Sequence, residues 1–211
     1  MQHTSTETRS VLASLRILTP RRQATFGEAL RVAELHAYRL LDLWQITQAA
    51  VPSEIVSELP RVRIVRSELP VSGTSHWNGT HWIITLSSNE PWTRQRFTLM
   101  HEFKHIIDHG HAALLYTGDR RHTAREQAEL VADYFAGCIL MPRRLLKRAW
   151  CDGKQRPSEL ARHFGVSPRA VEVRLAQTGL SAERDRCARP IRSRGAHQSF
   201  QAARRQRSRA W

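Results

Sequence analysis

The first helix of the chain is predicted by apolar residues that recur every three or four positions. These residues are Leu30, Ala33, Ala37, Leu41 and Trp44. Residues with this spacing lie on one face of a helix, which can then pack against a core. Just before them, Thr25 and Glu28 have the spacing of a capping box at a helix N-terminus. We therefore predict a helix over about residues 26–49.

A segment rich in β-branched and aromatic residues follows this helix. Residues 62–65 can form a short strand, and SHWNGTHWIITLSS contains two more strand segments around the pair Asn78-Gly79. An Asn-Gly pair is typical of a type I′ turn, in which both residues have positive φ. We therefore predict a small antiparallel sheet with a hairpin at about residues 74–77 and 80–86.

The second half of the chain has only helical patterns. One helix begins near Pro91 and ends at Gly110, which suits the position after a helix C-terminus. The next covers about residues 123–140 and stops before Pro142. Two short helices then fall within residues 157–178. The predicted fold class is α+β, mostly helical.

The two short helices have the pattern of a helix-turn-helix. In PSELARHFGVSPRAVEVRL, Gly165 can form the tight turn and Ser167 can cap the second helix. If this unit binds DNA, Arg169 and Arg174 are the candidate contacts, because we expect them on the exposed face of the second helix. The alternative is that the unit only packs against the rest of the protein.

The net positive charge of the chain is concentrated towards its C-terminal end. The chain has 211 residues, 41% of them hydrophobic, and a net charge of +14, which indicates an acidic partner or basic tails. Residues 181–211 contain nine arginines against Glu183 and Asp185, a net charge of +7. We predict that this segment is disordered. It could contact nucleic acid without sequence preference, or be a solvated tail with no function.

The remaining composition favours a soluble cytoplasmic protein. Residues 1–23 are rich in Ser, Thr and Arg, and we expect them to be flexible. No apolar run is long enough for a signal peptide or a membrane span. Three cysteines without a CxxC pair suggest reduced thiols rather than a disulfide framework. The predicted domains are therefore residues 24–150, the helix-turn-helix-like unit at 151–180, and the tail.

The strongest chemical signal is the sequence HEFKH at residues 101–105. His101 and His105 are four residues apart, so on a helix they lie on one face and can bind one metal ion. Glu102 directly follows His101, so its carboxylate lies beside the two histidines and can act as general base towards a water activated by zinc. The pattern therefore predicts a zinc peptidase, although two histidines on a helix face can also occur by chance.

A catalytic zinc usually has a third protein ligand, and the residues leave two sources open. His111 has the spacing of the last histidine in the longer HExxHxxGxxH motif, but position 108 is Asp rather than Gly. The other source is a carboxylate of the next helix, where Glu126, Glu129 and Asp133 fall near one face. Such an acidic stripe can also be a solvated surface.

Two motifs together resemble a known family. RFTLMHEFKHIIDH, followed by ExxADYFAGCILMP, is similar to the ImmA/IrrE metallopeptidases, whose members share RFTLAHELGH and ExxANxFAxxLLMP. The resemblance extends over roughly residues 50–180. It implies a zincin-like domain with one Zn²⁺ per chain, held by His101, His105 and Glu129, and with Glu102 as general base. Asp133 stands where the family often has Asn, and could orient a ligand histidine.

The resemblance also implies a substrate, which in characterised members is a helix-turn-helix repressor of stress or mobile-element genes. Lys104 stands where Gly is common, and we expect it to place a cation beside the site. Two alternatives remain. The protein could regulate DNA through the helix-turn-helix and basic tail without proteolysis, or it could bind a partner while zinc only stabilises the fold.

Overall fold

The computed structural model describes residues 11–180, and in this range the chain forms helices around one small sheet. The helices are α1 (Val11–Arg16), α2 (Phe26–Leu43), α3 (Trp92–Asp108), α4 (Ala112–Leu115), α5 (Ala124–Leu140), α6 (Arg143–Cys151), α7 (Pro157–Phe164) and α8 (Pro168–Thr178). The strands are β1 (Val62–Ser67), β2 (Gly73–Trp77) and β3 (Trp82–Ser87), and a 3-10 helix covers Ser53–Glu58. The predicted disordered tail lies outside the described residues.

The sheet is mixed, so the prediction of an antiparallel sheet was wrong for one of its two pairs. β3 is central, pairing in parallel with β1 and antiparallel with β2. A short connection between β2 and β3 requires antiparallel neighbours. The loop after β1 instead carries the chain to the far edge of the sheet, so β1 and β3 run in the same direction. Strand spacing alone does not reveal this crossing.

The connection between β2 and β3 also differs from the predicted type I′ turn. Gly79 has a φ of 97°, but Asn78 does not have a positive φ. The Asn78 side-chain oxygen accepts hydrogen bonds from the backbone N–H groups of Thr80 and His81, at 3.0 and 2.7 Å. The Asn78 side chain therefore organises a four-residue loop. β2 ends at Trp77, as predicted, whereas β3 begins at Trp82 rather than at about residue 80.

Helix α2 begins as predicted and ends earlier. The Thr25 side chain accepts from the Glu28 N–H, and the Glu28 carboxylate accepts from the Thr25 N–H at 2.9 Å, which completes the capping box. The helix ends at Leu43 rather than near residue 49, because Gln45 takes a left-handed conformation with a φ of 53°.

The segment predicted to be a flexible N-terminus is ordered over residues 11–23. Helix α1 buries Val11 and Leu15 in the core. The Arg16 guanidinium donates hydrogen bonds to the carbonyls of Ile106 and Ile107, at 2.7 and 3.0 Å. These carbonyls lie in the last turn of α3, where helix C-termini have few intrahelical donors. Arg16 therefore ties the N-terminal helix to the helix that carries HEFKH.

Three helices and the sheet surround the core beneath the site. α5 packs against both α2 and α3, and α3 also packs against β2 and β3. Phe135 and Ile139 of α5 are fully buried, whereas Leu130 of the same helix is 40% exposed. After α3, Gly110 has a φ of 84°, which agrees with its predicted place at the helix end.

The helix-turn-helix-like unit is preceded by a helix that the sequence pattern missed. α6 begins after Pro142 and buries only Leu145, Leu146 and Ala149, so its apolar repeat is too short to stand out. Beyond it, α7 ends at Gly165 with a φ of 64°, and the Ser167 side chain caps α8.

The unit shares its core with the rest of the described chain. Residues 11–180 fall in a single compact unit. Arg96 of α3 explains part of this attachment, because it donates to the carbonyls of Phe164 and Gly165 at 2.9 and 2.5 Å. The same guanidinium donates to Ser53 and to the carbonyl of Val51, so one buried side chain joins three segments.

Candidate metal centre

The two histidines of HEFKH lie on the same face of α3. Their Nε2 atoms are 3.1 Å apart, and their rings are inclined at 70° to each other. This placement follows from the four-residue spacing, which is about one helical turn. Both imidazoles therefore direct a nitrogen to the same point beside the helix.

Glu129 of α5 completes a group of three donor residues. One Glu129 oxygen lies 3.1 Å from His101 Nε2, and the other lies 3.8 Å from His105 Nε2. One donor atom from each residue lies within 4.8 Å of the others. The structure thus brings together the three residues predicted as ligands. His111 is not in this group and lies at the start of α4.

The donor atoms fit a zinc ion. Two imidazole nitrogens and a carboxylate oxygen are a common set for catalytic zinc. With metal–ligand bonds of about 2.0–2.1 Å in a tetrahedron, neighbouring ligand atoms are about 3.3 Å apart. The 3.1 Å between the two Nε2 atoms and the 3.1 Å from His101 Nε2 to the nearer Glu129 oxygen agree with this value, while the 3.8 Å contact of His105 is made to the other Glu129 oxygen. The chemistry and the spacing of this donor set therefore fit zinc.

Asp133, the predicted orienting residue, lies one turn after Glu129 on α5. Its Oδ1 is 2.8 Å from Nδ1 of His101. A hydrogen bond at Nδ1 places the proton there and leaves the Nε2 lone pair available to a metal. Burial lowers the pKa of His101. The hydrogen bond and charge of Asp133, with the charges of Glu102 and Glu129, outweigh burial and raise this pKa overall.

The pKa of His105 is shifted in the opposite direction to that of His101. Burial is the main effect that lowers its pKa, and the neighbouring charge of His101 lowers it further. The negative charges of Glu129, Glu102 and Asp108 oppose this without reversing it. A neutral imidazole is the form that binds metal, so burial favours the ligating form of His105.

Glu102 points to the sheet side of the site. Its side chain is buried, and its Oε2 accepts a 2.7 Å hydrogen bond from the Ser75 hydroxyl on β2. Sequence analysis did not identify Ser75. The available signal was strand alternation, which places residues 73, 75 and 77 on one face of β2. The alternation does not indicate which helix packs against that face.

Gly73 explains how closely β2 approaches α3. A Cβ atom at this position would lie 2.5 Å from the Thr98 methyl group and 3.0 Å from the Thr85 carbonyl oxygen. Any larger residue would therefore push β2 away from α3, or displace Thr98. The close approach matters for the site, because it brings Ser75, two residues along β2, within reach of Glu102.

A cleft of about 300 Å³ opens over these residues. Its lining residues from β2 and the preceding loop, α3 and α5 are Ser72, Gly73, Arg94, Phe97, Thr98, His101, Glu102, Glu129 and Asp133. The side chains of Glu129 and Asp133 are more than half exposed, so the cleft is open to solvent on the α5 side. The donor group is therefore accessible to solvent.

Lys104 does not place a cation beside this cleft, contrary to our prediction. Its side chain is fully buried, and its Nζ lies 2.5 Å from Oδ1 of Asp108 and 3.4 Å from Nδ1 of His36. Asp108 also accepts a hydrogen bond from the Tyr116 hydroxyl. Burial lowers the pKa of Lys104, while the charge of Asp108 opposes the shift. This polar cluster joins α3 to α2 and to the segment after α4.

The two candidate DNA contacts have different surroundings. Arg169 is exposed at the start of α8 and lies 3.3 Å from Glu172. Arg174 was predicted to be exposed, but it is only 2% exposed and donates to the carbonyl of Met141 at 3.2 Å. The Arg174 side chain points towards α5, because α8 packs against that helix. Its guanidinium is therefore not available to a nucleic acid.

Comparison with known proteins decides the family of the chain. Residues 60–176 match the family described as the IrrE N-terminal-like domain, a peptidase family, over more than half of the chain. The chain belongs to this family. The match confirms the ImmA/IrrE resemblance, and it covers the strands, both metal-centre helices and most of the helix-turn-helix-like unit.

One solved structure supports the fold of this IrrE-like chain. A Mycobacterium tuberculosis transcriptional regulator has a similar fold, with a TM-score of 0.56 and 17% sequence identity. The similarity covers 83% of this chain and 53% of the regulator, so this chain spans about half of that protein. No curated protein sequence matches the chain. Among residues 11–180, no helix has both the length and the apolar character needed to cross a membrane.

Proposed function

We propose that this IrrE-like protein is a zinc-dependent metallo-endopeptidase. The observation that carries the proposal is the position of Glu102 beside three donor groups spaced as zinc ligands, His101, His105 and Glu129. Membership of a peptidase family supports the same class of reaction. The open cleft, accessible to an extended chain, favours cleavage within a polypeptide.

Each residue of the site has a defined part in this reaction. A zinc ion held by His101, His105 and Glu129 would supply Lewis-acid chemistry, which activates water and polarises a peptide carbonyl. Glu102 takes a proton from the attacking water and passes it to the leaving amine. Ser75 donates to Oε2 of Glu102, so the other carboxylate oxygen is free of this hydrogen bond and can carry the proton. Asp133 keeps the His101 ring in its ligating orientation.

We further propose that the substrate is a helix-turn-helix repressor and that the reaction takes place in the cytoplasm. Cleavage of such a repressor is the activity that the ImmA/IrrE resemblance implies. The fold shared with a transcriptional regulator is consistent with a role in gene control, although it identifies no substrate.

Metal content is the first test of the site. We would measure zinc by elemental mass spectrometry in the wild type, Glu129→Ala and His111→Ala. The expected result is one zinc per chain in the wild type and in His111→Ala, and little in Glu129→Ala, because only Glu129 is in the donor group. A folded wild type that takes up no zinc would overturn the proposal.

Proteolysis is the second test. Zinc-loaded protein would be incubated with repressors encoded beside its own gene, and the products examined by mass spectrometry. Wild type should produce fragments, whereas Glu102→Gln should retain zinc and produce none, because the amide cannot take a proton. Cleavage that continues in Glu102→Gln would contradict the role of Glu102 as general base.

DNA regulation without proteolysis is the second candidate. The observation in its favour is Arg169, whose side chain is 82% exposed at the start of α8. A gel shift at several salt concentrations would test it, since binding driven by phosphate contacts weakens steeply as salt rises. This candidate predicts weaker binding in Arg169→Ala and unchanged binding in Glu102→Gln. A contribution of the basic tail would appear as further loss when residues 181–211 are removed.

A further inference from the structure

A second cavity lies beside the metal cleft. It has a volume of about 320 Å³, lies between α3, α5 and α8, and is open to solvent. Arg94, Phe97 and Asp133 line both the cavity and the cleft, so the two spaces are adjacent. The second helix of the helix-turn-helix-like unit therefore forms a wall next to the proposed site of peptide hydrolysis.

The walls of this cavity carry apolar side chains that are left exposed. Leu130 of α5 is 40% exposed and Val173 of α8 is 43% exposed, and both line the cavity. Phe97, Tyr134 and Ala170 add further apolar surface. Adjacent exposed apolar side chains that form a concave surface are typical of a binding site. The exposure of Leu130 therefore has an explanation here.

The floor of the cavity is held in place by Arg174. Its guanidinium lies 5.5 Å from the centre of the Tyr134 ring, and it donates to the Met141 carbonyl and to Gln177. A buried, multiply bonded arginine joins α8 to α5 and keeps the distance between these two walls constant. The cavity is therefore formed before a ligand arrives, which reduces the entropic cost of binding.

We propose that this cavity is a specificity pocket that receives one large apolar side chain of the substrate polypeptide. The inference rests on the proposed function, because the bound residue belongs to the chain that is cut in the cleft. Phe97 lies one turn before His101, about 6 Å along the helix axis. An extended chain advances about 3.3 Å per residue. The apolar residue should therefore lie about two residues from the cleaved bond.

The charges at the pocket select against basic side chains. Two exposed arginines, Arg94 of α3 and Arg169 of α8, line it against one exposed carboxylate, that of Asp133, which is already hydrogen-bonded to His101. Arg94 is partly balanced by Glu90, 3.8 Å away, and Arg169 by Glu172, but both guanidinium groups remain exposed. A substrate lysine or arginine would meet like charge and lose hydration, whereas leucine, methionine or phenylalanine would bury apolar area.

Two substitutions on α8 test the pocket, and the same helix offers a control. Val173→Glu places a negative charge among the apolar walls, and Ala170→Trp fills the space. Ala176 is exposed on α8 and does not line the cavity, so Ala176→Glu and Ala176→Trp match each change in charge and size. Thermal unfolding of all four proteins would establish that they are folded.

The retention of peptides on immobilised protein measures binding to the pocket without requiring cleavage. A randomised decapeptide pool would be applied to immobilised, zinc-loaded full-length protein carrying Glu102→Gln, and the retained peptides sequenced by mass spectrometry. Peptides with leucine, methionine or phenylalanine should be enriched at least fivefold over those with lysine or arginine. Val173→Glu and Ala170→Trp should abolish this enrichment, while the two Ala176 variants should preserve it. Absence of apolar enrichment, or equal loss in the Ala176 variants, would overturn the proposal.

Cleavage of the same pool by the protein with Glu102 intact separates this proposal from the proposed function. If peptides are cut, an apolar residue should recur at one fixed position near the new termini, and Val173→Glu should remove that preference. Cutting without such a preference would support the peptidase and refute the pocket. Retention of apolar peptides that is sensitive to Val173→Glu, with no cutting of the pool or of the repressors, would show that the cavity binds apolar side chains and would refute the peptidase.

Discussion

The Nδ1 atom of His101, on α3, lies 2.8 Å from Oδ1 of Asp133, on α5. This contact spans the two helices that supply the metal donors, so it links the orientation of a ring on one helix to the position of the other helix. It makes the ligand geometry depend on helix packing as well as on the HEFKH motif.

Asp133→Asn should weaken zinc binding while the protein remains folded. The amide oxygen can still accept a hydrogen bond, but the negative charge that increases the basicity of His101 is lost. Removal of such partners typically reduces metal affinity about 10–100-fold. Competition with a chromophoric chelator would measure the change. Asp42→Asn, an exposed residue at the end of α2, should leave affinity unaltered. Equal affinity in the two variants would exclude an orienting role for Asp133.

Ser75→Ala should lower the rate of peptide cleavage without loss of zinc. The Glu102 carboxylate would lose the hydroxyl donor that lies 2.7 Å from Oε2. Hydrogen bonds to charged groups contribute about 1.5–3 kcal/mol, so a decrease in kcat of about 10–100-fold is expected. The measurement is kcat on a cleaved peptide together with metal content. Ser57→Ala, at an exposed position of the 3-10 helix, is the control. Zinc loss in Ser75→Ala would instead indicate a structural role.

Gly73→Ala should destabilise the protein, because its new methyl group would meet the Thr98 side chain and the Thr85 carbonyl. Overpacking of this kind costs about 1–3 kcal/mol. Denaturant unfolding would measure the change in the free energy of unfolding. Gly27→Ala is a matched comparison, since a Cβ atom at that position meets nothing within 4 Å. Gly27→Ala should be neutral or slightly stabilising. A neutral Gly73→Ala would show that β2 does not need to approach α3 so closely.

Buried His36 should make stability depend on pH. Burial, followed by the charge of Lys104, lowers the pKa of this imidazole from 6.5 to about 3. Below pH 6.5 the unfolded chain therefore binds a proton that the folded protein does not bind. This contribution to stability is complete above pH 6.5 and decreases as the pH falls towards 3. The slope for one proton is at most about 1.4 kcal/mol per pH unit.

His36→Gln isolates this effect, because glutamine does not titrate and its side-chain oxygen can still accept from Lys104. Denaturant unfolding at several pH values between 6.5 and 5 would give the slope for each protein. The wild type should lose stability faster than His36→Gln as the pH falls. Parallel pH profiles would show that His36 does not contribute.

The sequence allowed the helices with strong local signals to be located, and it located the sheet less well. The capping box that begins α2, and the proline, serine and glycine residues at the ends of α3 and α8, act within a few residues, so they can be recognised without the fold. The pairing of β1 with β3 involves residues 20 positions apart, and depends on where an intervening loop carries the chain. α1 and α6 were missed because each has too few apolar residues to form a clear repeat.

By itself, the sequence determined the pair of histidines and the adjacent glutamate, because four residues make about one helical turn and the geometry within a helix is local. The family resemblance added Glu129. Tertiary structure decided which side chains surround these residues. Packing of α3 against β2 and α5 placed Ser75 and Asp133 at the site, and packing of α8 against α5 buried Arg174. Such contacts depend on the distance and orientation of separate elements, which local spacing does not encode.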